Sequence, residues 1–298
     1  MSQSNIEALI ILSLDMAMSK HHLTTLVLGS TGKTGSRVVA DLINRGLPVR
    51  TAARSRADVA FDWSRRDSYA PALDGVGHVY LVAPVLRLDF ADDVSAFLDE
   101  AEAAGVRHVI FLSAHGMEHA PNEVAARSVE LDLLRRQEMG HTILRPAWFM
   151  QNFSETFLKP VDGAILVPTG DGAEAFIDAE DIAAVATAIL ADPPAHAGAA
   201  YSLTGPEALT IAEAATIIND ETGSAIRHVN LDREAWVAGA IANGIPPEYG
   251  SVLRQLTETI AGGHGSRPNG TVGKITGTPP RTFRNFARNN ANAWKAAK

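Results

Sequence analysis

TLVLGSTGKTGSRVV, residues 25–39, joins a short apolar run to three glycines in seven residues and then to an amphipathic pattern. It reads as strand, phosphate-binding turn and helix. Gly29, Gly32 and Gly35 give GxxGxxG, a relative of the dinucleotide fingerprint GxGxxG. The first glycine suits the sharp turn out of the strand, the second lets backbone approach a pyrophosphate, and the third allows close helix–strand packing. Ser30, Thr31, Lys33 and Thr34 complete the turn, and N–H groups at the helix start would face the phosphates. Gly32-Lys33-Thr34 also looks like the end of GxxxxGK[ST], but that motif needs glycine at Val27. A glycine turn that holds no ligand is the plainer alternative, so the rest of the chain must support the cofactor reading.

Working outward, 298 residues suffice for one large domain or two interleaved ones. The net charge of −8 argues against nucleic acid as a partner, because phosphate contacts need a basic face. The absence of cysteine removes disulfides, thiolate metal ligands and a cysteine nucleophile, and no metal site is expected. Near the start, the apolar run Ile6–Leu14 is too short to span a bilayer. It also lacks the basic flank and small-residue cleavage site of a secretory signal. Residues 1–22 are therefore expected to be an extension of a cytoplasmic protein with no membrane partner.

From His22 onward, strand-like runs alternate with helical patterns: Leu23–Leu28, Pro48–Ala53, Val59–Phe61, His78–Ala83, Val106–Leu112 and His141–Leu144 are the strands. Helices are expected over Gly35–Arg45, Ser68–Leu73, Asp89–Ala104 and Val124–Gln137. This alternation implies an α/β fold, a doubly wound parallel sheet of Rossmann type. The cofactor-binding part spans residues 23–155. Residues 156–298 are expected to form a smaller, mainly helical substrate region, with 174–204 returning to the sheet core. Within it, strands are expected at Ala164–Val167, Ala200–Leu203 and Ile226–Val229, and helices at Asp178–Leu190, Thr210–Glu221, Arg233–Asn243, Pro247–Ile260 and Thr282–Asn289. Residues from Gly262 to Gly277 read as a glycine-rich linker.

Ligands in such sheets lie beyond the carboxyl ends of the strands, so the residues just after each strand matter. After the second comes Arg54, with no carboxylate from Val49 through Ala57 to accept from a ribose 2′-OH. A guanidinium instead suits a 2′-phosphate, and Lys33 would add charge, which points to NADP(H). Asp62 and Trp63 follow the third strand, where the adenine edge lies; Asp62 either accepts from the adenine amino group or caps the following turn. Val82, Ala83 and Pro84 would line the ribose and nicotinamide side, or are ordinary sheet core. After the fifth strand, Ser113 and His115 are candidates to orient or protonate a substrate, although a loop histidine is equally at home on the surface. Pro146 ends the sixth strand and is placed with the cofactor. Trp148, Phe149, Asn152 and Phe153 follow, as core packing or as the wall of a pocket for a flat, conjugated substrate.

With those residues in view, the chain resembles the NmrA-like branch of the atypical short-chain dehydrogenase/reductases. The marks are VLGSTGKTG (27–35), YLVAP (80–84), HTILRPAWFMQNFSE (141–155) and YSLTGPEALT (201–210). Within the branch, FDW (61–63), RPAWFMQNFSE (145–155) and GTPPRTFRNFA (277–287) look most like the ergot-alkaloid reductases of the festuclavine synthase and agroclavine dehydrogenase type. The resemblance implies NADPH, a monomer or weak homodimer, and hydride transfer to a small conjugated acceptor. The wider superfamily uses Tyr-x-x-x-Lys for proton transfer, yet Tyr69, Tyr80, Tyr201 and Tyr249 are followed at that spacing by Leu73, Pro84, Gly205 and Leu253. A ketone needs a proton at the forming alkoxide, whereas an iminium is neutralised by hydride alone and a quinone can collect protons from solvent. The expected acceptor is therefore an activated C=N, C=C or C=O system. A cofactor sensor that regulates a partner would also lack the pair; the aromatic run after Pro146 favours the enzyme.

Overall fold

The computed structural model describes residues 23–294, so the apolar run Ile6–Leu14 and the expected extension 1–22 lie outside the described residues. In chain order its strands are β1 (Thr24–Leu28), β2 (Val49–Ala53), β3 (Val59–Ala60), β4 (Val76–Val82), β5 (His108–Leu112), β6 (Gly140–Pro146), β7 (Ala164–Leu166), β8 (Ala173–Glu174), β9 (Ala199–Leu203), β10 (Leu209–Thr210) and β11 (Arg227–Val229). Seven of them form one parallel sheet in the order β3-β2-β1-β4-β5-β6-β9. The order reverses direction between β1 and β4, and that crevice lies at the end of β1, where the glycine turn begins.

Period-two alternation builds the two faces. Leu26 and Leu28 of β1, Val79 and Leu81 of β4, and Val109 and Phe111 of β5 enter one buried cluster with the helices Tyr69–Leu73, Ala91–Ala103 and Ala125–Arg135. Val27, Tyr80 and Ile110, each between two of those residues, enter the other with helices Gly35–Asn44 and Ala179–Ala191. Strands covered on both sides have no polar face, hence their near-continuous apolar runs.

A third cluster holds the C-terminal part together. Met150, Phe153, Ile165, Phe176, Ile211 and Phe283 bury one another there, with the helices Ile211–Thr222 and Phe283–Asn289 packed together. Helices Arg233–Ala242 and Gly250–Ala261 pack on each other. The small sheets β7–β11 (parallel) and β8–β10 (antiparallel) complete this part. The expected linker 262–277 is corrected in one stretch: Thr271–Thr276 is a helix packed on Ala179–Ala191. Val272 and Ile275, three apart, reach the second cluster and outweigh the glycine between them.

At the amino-terminal edge of the sheet, His78 of β4 lies opposite His108 of β5, and His141 of β6 opposite Val109. His108 Nε2 meets Thr142 Oγ1 at 2.9 Å, and that hydroxyl donates to the His196 carbonyl. The hydroxyl's proton being so used, neutral His108 carries its own proton on Nε2. The functional candidates all lie at the opposite edge.

Candidate active site

The glycine turn runs from Gly29 to Thr34. Gly29 has φ 62°, and a Cβ on Gly35 would collide with the Gly29 carbonyl, so helix and turn touch backbone to backbone. Thr34 occupies the N-cap of Gly35–Asn44 without a side-chain cap bond. That helix start is open to an anion, and the tight cradle fits a pyrophosphate. Ser30 donates through both its N–H and its hydroxyl to the Ala52 carbonyl, tying the turn to the end of β2. The Lys33 ammonium donates to Thr156 Oγ1 at 2.9 Å, and burial holds its pKa below the usual range despite Glu155.

Arg54 lies on a cleft of about 350 Å³ that it shares with Val59, Phe61, Asp62, Arg65 and Ser68. Asp62 caps its own turn by accepting from the Ser64 N–H at 2.9 Å and hydroxyl at 2.7 Å, and these bonds, the N–H foremost, lower its pKa. Both of these bonds use Oδ1. Trp63 packs edge-on against Phe61 and Phe97 while its indole donates to the Val82 carbonyl at 3.3 Å. It is thus a strut between the β3 loop and the end of β4. Val82, Ala83 and Pro84 are half-buried at that end.

Beyond β5, Ser113 donates its hydroxyl to Glu130 Oε1 at 2.6 Å. Glu130 is wholly buried and also takes Arg145 through two bonds of 2.9 and 2.7 Å and Arg127 through one of 2.8 Å. Burial raises the pKa of Glu130, but Arg145, Ser113 and Arg127 more than reverse this and hold it low. Ser113 therefore belongs to a fixed charged network, in which sequence reading had not placed Glu130 or Arg145. The signal available was a charged residue beside Val129 and Leu133 on the inward face of its helix. His115 is half-buried, and its N–H donates to the Pro146 carbonyl at 3.0 Å, joining the β5 and β6 loops.

Past Pro146 the chain turns sharply. Trp148 and Phe149 are half-buried, but Phe153 is fully buried edge-on between Phe176 and Phe283 and forms core, not pocket wall. Asn152 accepts from Thr156 Oγ1 at 3.0 Å, the same hydroxyl that receives Lys33. Gln151, not foreseen, is buried; it donates to Asp178 at 2.7 Å and accepts the Ala179 N–H at 2.9 Å. Glu174, also not foreseen, is buried and accepts from the Trp148 main-chain N–H at 3.5 Å through Oε1, and burial pushes its pKa up to about 7.

Residues 29–193, which include the glycine turn, Arg54, Ser113 and the run from Trp148 to Phe153, match the sequence profile of a family described as NAD(P)H-binding. The chain belongs to that NAD(P)H-binding family. The oxidoreductase YesF of Bacillus subtilis is 37% identical over 279 residues, covering 90% of this chain and 96% of its own. A festuclavine dehydrogenase of Aspergillus fumigatus is 32% identical over 295 residues, covering 91% and 99%. Among solved structures, the NADPH complex of an Escherichia coli NADPH-dependent quinone oxidoreductase superposes with TM-score 0.74 at 21% identity, covering 89% and 99%. This NAD(P)H-binding chain is thus an oxidoreductase of Rossmann type, as its resemblance to the clavine reductases implied. No helix among the described residues is long and apolar enough to cross a membrane.

Proposed function

We propose that the protein is an NADPH-dependent reductase of a small conjugated acceptor, an iminium, quinone or similarly activated C=N, C=C or C=O group. The observation that carries this reading is the engagement of Ser113 by Glu130 on a helix, Ala125–Arg135, that holds neither tyrosine nor lysine. A side chain already donating to a buried carboxylate is poorly placed to pass a proton to a forming alkoxide. Gly29 to Gly35 would hold the pyrophosphate, Arg54 the 2′-phosphate, and Asp62 Oδ2 the adenine amino group. Bound NADPH supplies hydride, which neutralises an iminium outright and leaves a quinone to take one proton from solvent. The Trp148–Phe149 turn orients a flat acceptor and keeps water from it, with His115 across the loop. A monomer or weak homodimer acting in the cytoplasm belongs to the same reading.

The test is oxidation of NADPH in the presence of a two-ring iminium, a naphthoquinone and a simple ketone. The expected order places iminium and quinone far ahead of ketone. Preference for the unactivated ketone defeats the reading, and tight NADPH binding without turnover across the panel replaces it with a cofactor sensor.

A further inference from the structure

Tyr80 carries a hydroxyl for which the described residues supply no bond. It lies within β4, in register with Val27 of β1 on one side and Ile110 of β5 on the other. Its ring enters the second buried cluster with those two residues and with Val38 and Leu42 of the helix Gly35–Asn44. The side chain is wholly buried, and its hydroxyl has no hydrogen-bond partner among the described residues. Tyr69 and Tyr201 offer the contrast. The first donates to the Trp63 carbonyl at 2.9 Å, and the second meets His196 Nδ1 at 2.9 Å. A phenylalanine at position 80 would fill the same space without stranding a polar group, which is costly in an apolar surrounding.

Thr34 is the polar neighbour of that phenol. Burial pushes the Tyr80 pKa up and the Thr34 side chain acts against it, so the two hydroxyls are close, short of a formed hydrogen bond. Thr34 is itself only 4% exposed and stands at the N-cap of Gly35–Asn44, where its hydroxyl makes no cap bond. The phenol thus reaches the floor of the glycine turn, where the first N–H groups of the helix are open to an anion. We propose that Tyr80 is a positioning residue for the dinucleotide's diphosphate, its hydroxyl donating to Thr34 Oγ1. Thr34 then keeps its own proton for a diphosphate oxygen. The reverse direction, with Thr34 donating to the phenol, would leave the phenol's proton among Val27, Val38 and Ile110. A charged oxygen at the end of the chain strengthens both bonds, so phenol and threonine act as a unit when the cofactor seats. The turn is then fixed to the sheet from below, as Ser30 fixes it to the end of β2. The hold acts on the cofactor alone, whatever the acceptor.

Calorimetric titration of NADPH and NADH into the full chain and its Tyr80→Phe variant tests this. The diphosphate is common to both cofactors, so Tyr80→Phe is expected to weaken each by the same factor, roughly five- to tenfold. Thr34→Val, which exchanges the hydroxyl for a methyl and loses no cap bond, is expected to weaken both at least as much. Thr34→Ser keeps the hydroxyl and is expected to bind within about threefold of wild type. The double variant Tyr80→Phe with Thr34→Val is expected to bind no more weakly than Thr34→Val alone, because the phenol acts only through the threonine. Thermal unfolding without ligand is expected to show Tyr80→Phe at least as stable as wild type, since a stranded hydroxyl has been removed. Binding by Tyr80→Phe within about twofold of wild type overturns the proposal, as does a loss confined to one cofactor. Losses that multiply in the double variant also overturn it, since the two residues would then act apart. A lower melting temperature for Tyr80→Phe overturns it as well, because the hydroxyl would then serve the free fold.

Discussion

Arg54 stands exposed on the wall of the cleft that Asp62 also lines, and no carboxylate occurs from Val49 through Ala57 to compete for a ribose hydroxyl. A guanidinium there rewards one chemical difference between the two cofactors, the 2′-phosphate. Arg54→Ala is therefore expected to weaken NADPH roughly ten- to hundredfold, the loss of a charge-assisted pair of bonds, and NADH by less than about threefold. Fluorescence titration of both cofactors checks it, and equal losses would show that the arginine meets no phosphate. The place of Arg54 was readable in advance, because following β2 puts it at the carboxyl edge of the sheet. Phe153 was not, since the run Trp148 to Phe153 offers aromatics to both core and crevice, and only the rings of Phe176 and Phe283, far along the chain, claim it. Glu130 and Glu174 were hidden for a related reason. A carboxylate in a sequence looks solvated until its burial is known, and the first is matched by Arg145, fifteen positions on, while the second has no ion-pair partner among the described residues.

Secondary structure elements were more legible than their ends. The six strands of the first half and their helices announce themselves by periodicity and by the glycines that stop them. The helix Ile211–Thr222 starts with a reciprocal Thr210–Glu213 capping box, a signal local enough to be seen in sequence. Thr271–Thr276 was missed because its six residues include a glycine, and it owes its shape to packing on Ala179–Ala191. The start of β5 carries a prediction of its own. Burial, and after it the nearness of His78, His141 and His196, pushes His108 from its ordinary 6.5 down to about 4. The unfolded chain then takes up a proton first as pH falls. Stability is fully present above about pH 6.5, declines toward pH 4 and levels off below it, by about 1–3 kcal/mol for this group. Urea unfolding across that range is expected to show the decline, and His108→Gln to flatten it. An unchanged slope in the variant would mean that other groups set the acid limit.

At the scale of the molecule, the parallel sheet followed from the alternation of elements, but how the two halves face each other did not. That relation is fixed by contacts between residues more than a hundred positions apart. Lys33 reaches Thr156, and Arg37 reaches both Glu155 at 3.7 Å and Glu180 at 2.9 Å. All start from the glycine turn or its helix, and two of them end on the short helix Asn152–Glu155 or just beyond it. Unlike the packed aromatics of the C-terminal cluster, these links are charged and partly exposed, and so are open to screening. Ionic strength should act on the crevice before it acts on the sheet. Raising salt to about half-molar shortens the screening length to a few ångström, and amide exchange is expected to quicken over residues 152–158 while β1 stays protected. Equal protection at low and high salt would show that apolar packing alone fixes the spacing. If the loosening occurs, the salt content of the surroundings sets how widely the acceptor side stands open, and the enzyme's grip on large and small acceptors shifts with it.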